Sequence, residues 1–427
     1  MNGIYSKPPD QWTRTPIKAL VDGPDNGAWG DEPGIGEVDV ICARVADFDW
    51  EHLTVNLSNP TIRSIKRNQF SRLALRNGDL LIEKSGGGEK TPVGRVVAFS
   101  GDVDAITSNF VARMRPKSGF APDFLKYFFA AHYLSGFTYQ FIKQATGIQN
   151  LDDKPLMQVV AWVPDPDGQT AITRFLDREI SLIDGLIEKK TRFIALLNEK
   201  EKAAISRLVR RGLNRQAPTI DSRVDWRGLV PAHWVRGRMK DHFRQEKRQG
   251  YETLTVLSVY REFGVIEKSS RDDNINKTPE DLTKYQLVNP NDLVINKMKA
   301  WQGSMGIAPM RGITSPDYVV MRPIGEHDPR YMHHYLRAQP MPWVYRLISN
   351  GIRTDQWRME PEKFLGLPVF MPPFQEQRRI ADRIDVELER IRGLISLTDR
   401  SIDLLREKRA ALITAAVTGK IDVRTAA

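Results

Sequence analysis

The sequence predicts an α+β protein: two domains of mixed α and β structure alternate with two long helices, and the second half of the chain repeats the first. Three observations lead there. Residues 172–211 recur as residues 380–419 at a constant shift of 208. Both copies space their apolar residues by alternating threes and fours. The segments outside the copies diverge but keep the same order of short matches.

The repeat is ungapped. Asp177, Glu179 and Gly185-Leu186-Ile187 meet Asp385, Glu387 and Gly393-Leu394-Ile395. Ile194, Leu196, Leu197, Glu199 and Lys200 meet Ile402, Leu404, Leu405, Glu407 and Lys408. A match of that density marks an internal duplication. Its apolar positions are Leu176, Ile180, Ile183, Ile187, Ile194 and Leu197 in the first copy, and Ile384, Leu388, Ile391, Ile395, Ile402 and Leu405 in the second. A period of about 3.5 residues is the seam of a left-handed coiled coil. Polar residues interrupt both seams at matching places, Lys190 with Thr398 and Glu201 with Arg409. Such breaks cost stability but fix register. Each helix spans roughly 60 Å at its ordinary rise, and an exposed stripe of that length needs a partner. The economical arrangement pairs the two helices within one chain. The alternative gives each helix to the core of its own domain.

Between the helices the chain reads as domains. Residues 1–163 form the first, with β-rich runs such as Val38–Val45 and Gly94–Phe99 and an apolar helix over Phe124–Leu134. Pro164-Asp165-Pro166-Asp167-Gly168 ends that domain and opens the first long helix over 164–213, because Pro is tolerated only in a helix's first turn. A polar connector covers 214–225. The second domain covers 226–371, with strands near Thr253–Val259 and Asp317–Met321 and a helix near Tyr331–Leu336. Pro372-Pro373 opens the second helix and its tail over 372–427. Asp79-Leu80-Leu81-Ile82 resembles Asp292-Leu293-Val294-Ile295, and Met114-Arg115-Pro116 recurs as Met321-Arg322-Pro323.

Composition narrows the partners. The 427 residues carry a formal net charge of +10, which favours a polyanion. The single cysteine, Cys42, excludes internal disulfides and Cys-rich zinc sites. No apolar run reaches membrane-spanning length, and the first ten residues lack the pattern of a signal peptide. Both features predict a cytoplasmic protein.

Catalytic motifs are missing. Gly86-Gly87-Gly88-Glu89-Lys90-Thr91 lacks the Gly-Lys step of a phosphate-binding loop. Met371-Pro372-Pro373-Phe374 has Met where amino-methyltransferases place Asn or Asp to hold the target amine. The seven histidines lack metal spacing. What remains is a set of polar and basic loops in both domains. In the first, Lys84-Ser85-Gly86-Gly87 offers a cation and backbone amides to phosphate. Lys143, Gln144, Thr146, Gln149 and Asn150 add amides of the kind that pair with adenine edges. In the second, Lys297, Lys299, Trp301 and Gln302, then Arg353, Thr354, Gln356 and Arg358, combine cations, amides and an aromatic ring. A solvated surface is the competing reading for each of these residues.

The chain resembles the specificity subunits of Type I restriction-modification systems. The likeness rests on Gly78–Gly88, Thr146–Leu151, Val230-Pro231-Ala232-His233-Trp234 and the Gln-Arg-Arg-Ile-Ala run at Gln377–Ala381, together with the duplication. It implies two target recognition domains separated by two helices that pair antiparallel. It also implies a pseudo-twofold repeat, a bipartite DNA site, and helices that dock two methyltransferase subunits within a complex containing a restriction subunit. The chain would itself be non-catalytic and bind no cofactor, leaving S-adenosylmethionine, Mg and ATP to its partners. Lys297-Met298-Lys299-Ala300-Trp301-Gln302 stands where the first domain has its triple-glycine loop, so the two half-sites should differ. Other readings are a methyltransferase or nuclease with an unrecognised site, a coiled-coil scaffold without sequence reading, and a specificity-like subunit of another phage-defence complex.

Overall fold

The computed structural model describes residues 11–88, 91–145, 147–271, 278–351 and 357–423. It divides into two compact units, residues 1–190 with 400–427, and residues 191–399. The division runs through both long helices, Pro166–Arg211 and Phe374–Val417.

The first unit is built on a six-stranded sheet. Its order is Val21–Asn26, Val111–Pro116, Leu80–Glu83, Val96–Ala98, Thr54–Val55 and Phe48–Asp49. Leu80–Glu83 is buried along its whole length. Leu80 and Ile82 pack into a core with the helix Pro122–Leu134, while Leu81 joins Val97, Phe99 and Val111 in a second core. That is the two-residue alternation of a strand covered on both faces. The strand expected over Val38–Val45 forms at Val38–Ala43, in a separate sheet with Ile62–Ile65 and Ala105–Thr107.

The second unit repeats the inner part of this sheet. Phe243–Gln245, Tyr318–Pro323, Leu293–Asn296 and Met305–Ile307 follow one another in the order of their counterparts. Leu293 and Ile295 face one core and Val294 another. The strand expected over Thr253–Val259 forms only at Leu257–Tyr260, where alternation with burial begins. The helix Pro329–Arg337 starts at Asp328, whose carboxylate accepts the amides of Arg330 and Tyr331 at 2.9 and 3.0 Å.

Each unit leads into its long helix in the same way. Thr13–Pro16 pairs antiparallel with Val160–Val163, and Val235–Arg238 pairs antiparallel with Pro368–Met371. A buried glutamine follows in each helix's first turn. Gln169 Oε1 accepts the Ala121 amide at 2.9 Å, and its Nε2 donates to the carbonyls of Gly119 and Pro164. Gln377 Oε1 accepts the Asp328 amide at 3.0 Å, and its Nε2 donates to the Pro372 carbonyl at 2.9 Å. The shift of 208 relates these two residues as it does the seam.

The long helices pack together. In the first unit Ile172, Leu176 and Ile180 share a core with Ile413, Ala416 and Val417. In the second, Leu208 and Val209 share one with Ile380, Ala381, Ile384 and Leu388. The start of one helix thus meets the end of the other, which is antiparallel order. Leu176, Ile180, Ile183, Ile187, Leu197, Ile384, Leu388, Ile391 and Ile402 are buried, while Ile194, Ile395 and Leu405 are half-buried. Two polar seam residues find partners. The Thr398 hydroxyl donates to the Leu394 carbonyl, and Arg409 lies 3.3 Å from Asp184 and donates to the Glu51 carbonyl. Burial holds the Asp184 carboxyl above its ordinary pKa, against the pull of Arg409. Each helix also carries a second apolar set turned to solvent. It comprises Leu182, Leu186, Phe193 and Leu196 on the first, and Val386, Leu394, Leu397 and Leu404 on the second.

Candidate nucleic-acid interface

Two loops of the first domain, far apart in sequence, meet as one small sheet. The buried strand Leu80–Glu83 runs out through Lys84 into Ser85–Gly86. That edge pairs with Ile148–Leu151, which closes a hairpin with Ile142–Ala145. Gln149 lies opposite Gly86, and Asn150 lies between Ser85 and Lys143. Gly87 lets the chain pass close to Val93 and to this hairpin: its φ is +40°, and a Cβ there would sit 2.9 Å from the Val93 amide nitrogen and 3.0 Å from Gln149 Oε1.

Some of the expected contact residues are committed inside the sheet. Lys84 is not an open cation, because its Nζ lies 2.8 Å from Asn26 Oδ1 and 2.6 Å from Asp153 Oδ2. Gln149 is buried, and its Oε1 accepts the Val93 amide at 3.2 Å. The Ser85 hydroxyl donates to Asn150 Oδ1 at 2.5 Å. Lys143 and Gln144 are exposed, with Lys143 paired to Asp152. Thr146 lies outside the described residues. The exposed surface is therefore polar and carries Asn150, Gln144 and Lys143, the last in its pair with Asp152.

The second domain brings its two loops together in the same place but with other chemistry. The strand Leu293–Asn296 leads into Lys297, whose carbonyl accepts the Met359 amide at 3.0 Å. Ser349–Asn350 pairs with Arg358–Met359, the counterpart of the first domain's hairpin. Asn296 turns the loop by accepting the amides of Met298 and Lys299. Trp301 donates from its indole to the Met298 carbonyl and meets Trp357 edge to face at 5.7 Å. The Arg346 guanidinium lies 5.2 Å from the Trp357 ring centre, and Arg358 Nε lies 3.1 Å from Met298 Sδ. Lys299 is exposed, and Gln302 is half-buried. Arg353, Thr354 and Gln356 lie outside the described residues.

Arg346 was not among the expected residues, since nothing in the sequence joins it to Trp357. The glutamine pair Gln169 and Gln377 was also missed, although the repeat's own shift would have found it. Among the described residues no group of three or more His, Cys, Asp or Glu could hold a metal ion. Burial drives the pKa of His132 down to about 4 and that of His333 to about 3. Among the described residues no helix is long and apolar enough to cross a membrane.

No protein-family model matches the sequence, and no curated protein matches it. Solved structures do match its fold. One is a chain from work on complex assembly and conformational transition of the type I R-M system. It aligns at a TM-score of 0.67 and 13% identity, over 97% of this chain and 100% of that one. Another is the HsdS subunit from Thermoanaerobacter tengcongensis, at a TM-score of 0.55 and 13% identity, over 99% of this chain and 100% of that one. Two β-rich domains and two long packed helices are the architecture shared with that subunit.

Proposed function

We infer that the chain is the DNA-specificity subunit of a Type I restriction-modification complex. The observation that carries this is the agreement in fold along the whole chain with HsdS and with the type I R-M chain. In this reading residues 1–163 and 226–371 are target recognition domains, and the helices over 164–213 and 372–427 form the spine between them, with 214–225 as linker. Each domain reads half of a bipartite site in duplex DNA. The first does so through the sheet bearing Lys143, Gln144 and Asn150, and the second through the loops bearing Lys299, Trp301 and Arg358. Unlike surfaces read unlike sequences, so the site is asymmetric. The committed side chains of Lys84 and Gln149 hold the first surface in shape.

The spine would dock two methyltransferase subunits. The solvent-facing apolar residues support this, because Leu186 and Leu196 recur at Leu394 and Leu404, so two copies of one partner would meet similar faces. Catalysis, S-adenosylmethionine, Mg and ATP belong to the methyltransferase and restriction subunits of a cytoplasmic assembly. The test exchanges residues 226–371 for the equivalent domain of another specificity subunit. Adenine methylation is then mapped genome-wide in cells that also carry the methyltransferase. One half-site should change and the other persist. Change in both halves, or a methylation pattern indifferent to the exchange, would refute the reading.

A further inference from the structure

The end of the first long helix and the beginning of the second carry a cluster of arginines in the second unit. Leu208 shares a core with Ile380 and Ile384, so the neighbouring Arg207 and Arg383 belong to adjoining turns. Arg211 follows Arg207, and Arg383 follows Arg379, at four-residue spacing, about 6 Å along a helix. Arg211, Arg215, Arg379 and Arg383 are exposed, and Arg207 is half-buried. Arg383 pairs with Glu387 at 2.5 Å. Among the described residues, no carboxylate lies within salt-bridge distance of Arg207, Arg211, Arg215 or Arg379. The pKa of Arg207 is lowered by burial first and then by the charges of Arg215 and Arg383, with Glu387 opposing them. The four arginines without a carboxylate leave this corner with a surplus of positive charge, which attracts an anion.

The repeat shows that this corner is specific to one end. At the shift of 208, Arg207, Arg211 and Arg215 correspond to Ala415, Gly419 and Val423. Arg379 and Arg383 correspond to Ala171 and Phe175. In the first unit Phe175, Ile421 and Val423 pack onto the core, so the chain's own apolar tail closes the place that arginines occupy in the second. A partner that docks twice, related by the internal repeat, would find two unlike corners. A partner present once fits better, and among the components of the proposed complex the polyanion met once is the duplex.

We propose that Arg207, Arg211, Arg215, Arg379 and Arg383 form a sequence-independent binding surface for the phosphate backbone of duplex DNA, outside both recognition surfaces. This rests on the reading of the chain as a duplex-binding subunit. Arginine suits the role because its planar donors match phosphate oxygens.

The experiment measures binding of the full chain, assembled with its methyltransferase subunits, to a fluorescent duplex carrying its site and to a scrambled duplex. Titrations run between 50 and 300 mM salt, roughly the range over which counterion release is read. The variant R211Q/R379Q changes only exposed residues, and R400Q/R406Q on the same spine removes the same charge as a control. The logarithmic salt slope should fall by about 0.9 per lost contact, about 1.8 for the first variant, and stay near wild type for the control. Affinity for both duplexes should weaken by the same factor, leaving the preference for the site intact. An unchanged slope in R211Q/R379Q overturns the proposal. So does an unchanged slope together with weakened methyltransferase assembly, which assigns the patch to an acidic protein. Wild type that binds neither duplex sinks the reading of the whole chain instead, a result distinguishable from the others.

Discussion

Replacing Gln377 by Leu tests how the second long helix is anchored to its domain. The amide of Gln377 is buried and makes two bonds, accepting the Asp328 N–H at 3.0 Å and donating to the Pro372 carbonyl at 2.9 Å. Leucine fills much the same space but leaves a buried N–H and a buried carbonyl unpaired. Each orphaned group costs roughly 1–3 kcal/mol, and burying leucine in place of an amide returns roughly 1–2 kcal/mol. At mid-range the net loss is about 2.5 kcal/mol. Asp328 caps the helix Pro329–Arg337, so the loss should appear there. Native-state hydrogen exchange reads it directly: the Asp328 amide should exchange at least about 30-fold faster, since about 1.4 kcal/mol is a factor of ten. Gln169→Leu should cost more, because Gln169 satisfies three backbone groups, of Ala121, Gly119 and Pro164. An Asp328 amide whose exchange stays within about threefold of wild type would show that another acceptor takes it over and that the anchor is not this side chain.

Three further outcomes can be checked. Inserting one heptad into both long helices preserves the seam and adds about 10 Å. The spacer between methylated half-sites should then lengthen by about three base pairs, and an unchanged spacer in the methylation map would show that helix length does not set the half-site separation. Lys84→Met should lower stability by about 1–3 kcal/mol, because it strands Asp153 in a largely enclosed site. Its salt slope for duplex binding should match wild type, and a reduced slope would mean that Lys84 reaches phosphate after all. Acid should open the second unit before the first. Burial lowers the pKa of His327 and His334 to about 4 and of His333 to about 3, whereas the first unit has His132, lowered to about 4. A histidine whose folded pKa lies below its unfolded value stabilises the neutral form. Its contribution is therefore complete above about pH 6.5 and is lost as pH falls towards the folded value. Hydrogen exchange at pH 7 and pH 5 should show the larger loss of protection within 191–399, and equal losses would refute the assignment.

The helices were legible because their seam is a local period. Leu176 through Leu197 and Ile384 through Leu405 announce it within a few turns of chain. The helices begin at Pro166 and Phe374, two residues inside the expected starts at 164 and 372 and six residues ahead of the matched repeat. Their first turns face the domain through a glutamine and carry no seam residue. The strand Val96–Ala98 was also legible, lying inside the β-rich run expected over Gly94–Phe99. What no window of sequence contains is the register between distant strands. The pairing of Ser85–Gly86 with Ile148–Leu151 depends on how the intervening strands close the sheet. The same holds for the meeting of Trp301 with Trp357. The inward turn of Gln149 and the capture of Lys84 follow from those pairings, so their side chains read as open amide and open cation until the sheet exists.

The ion pair between Asp184 and Arg409 bears on the chain's history. At the repeat's shift the equivalent positions hold Arg392 and Glu201, so the same pair of charges has changed sides. Were two first halves to assemble in the register of this spine, Asp184 of each would confront Glu201 of the other. Two second halves would set Arg392 against Arg409. Whatever twofold dimer an ancestral half-length protein once made, neither descendant half is now suited to remake it with its own kind.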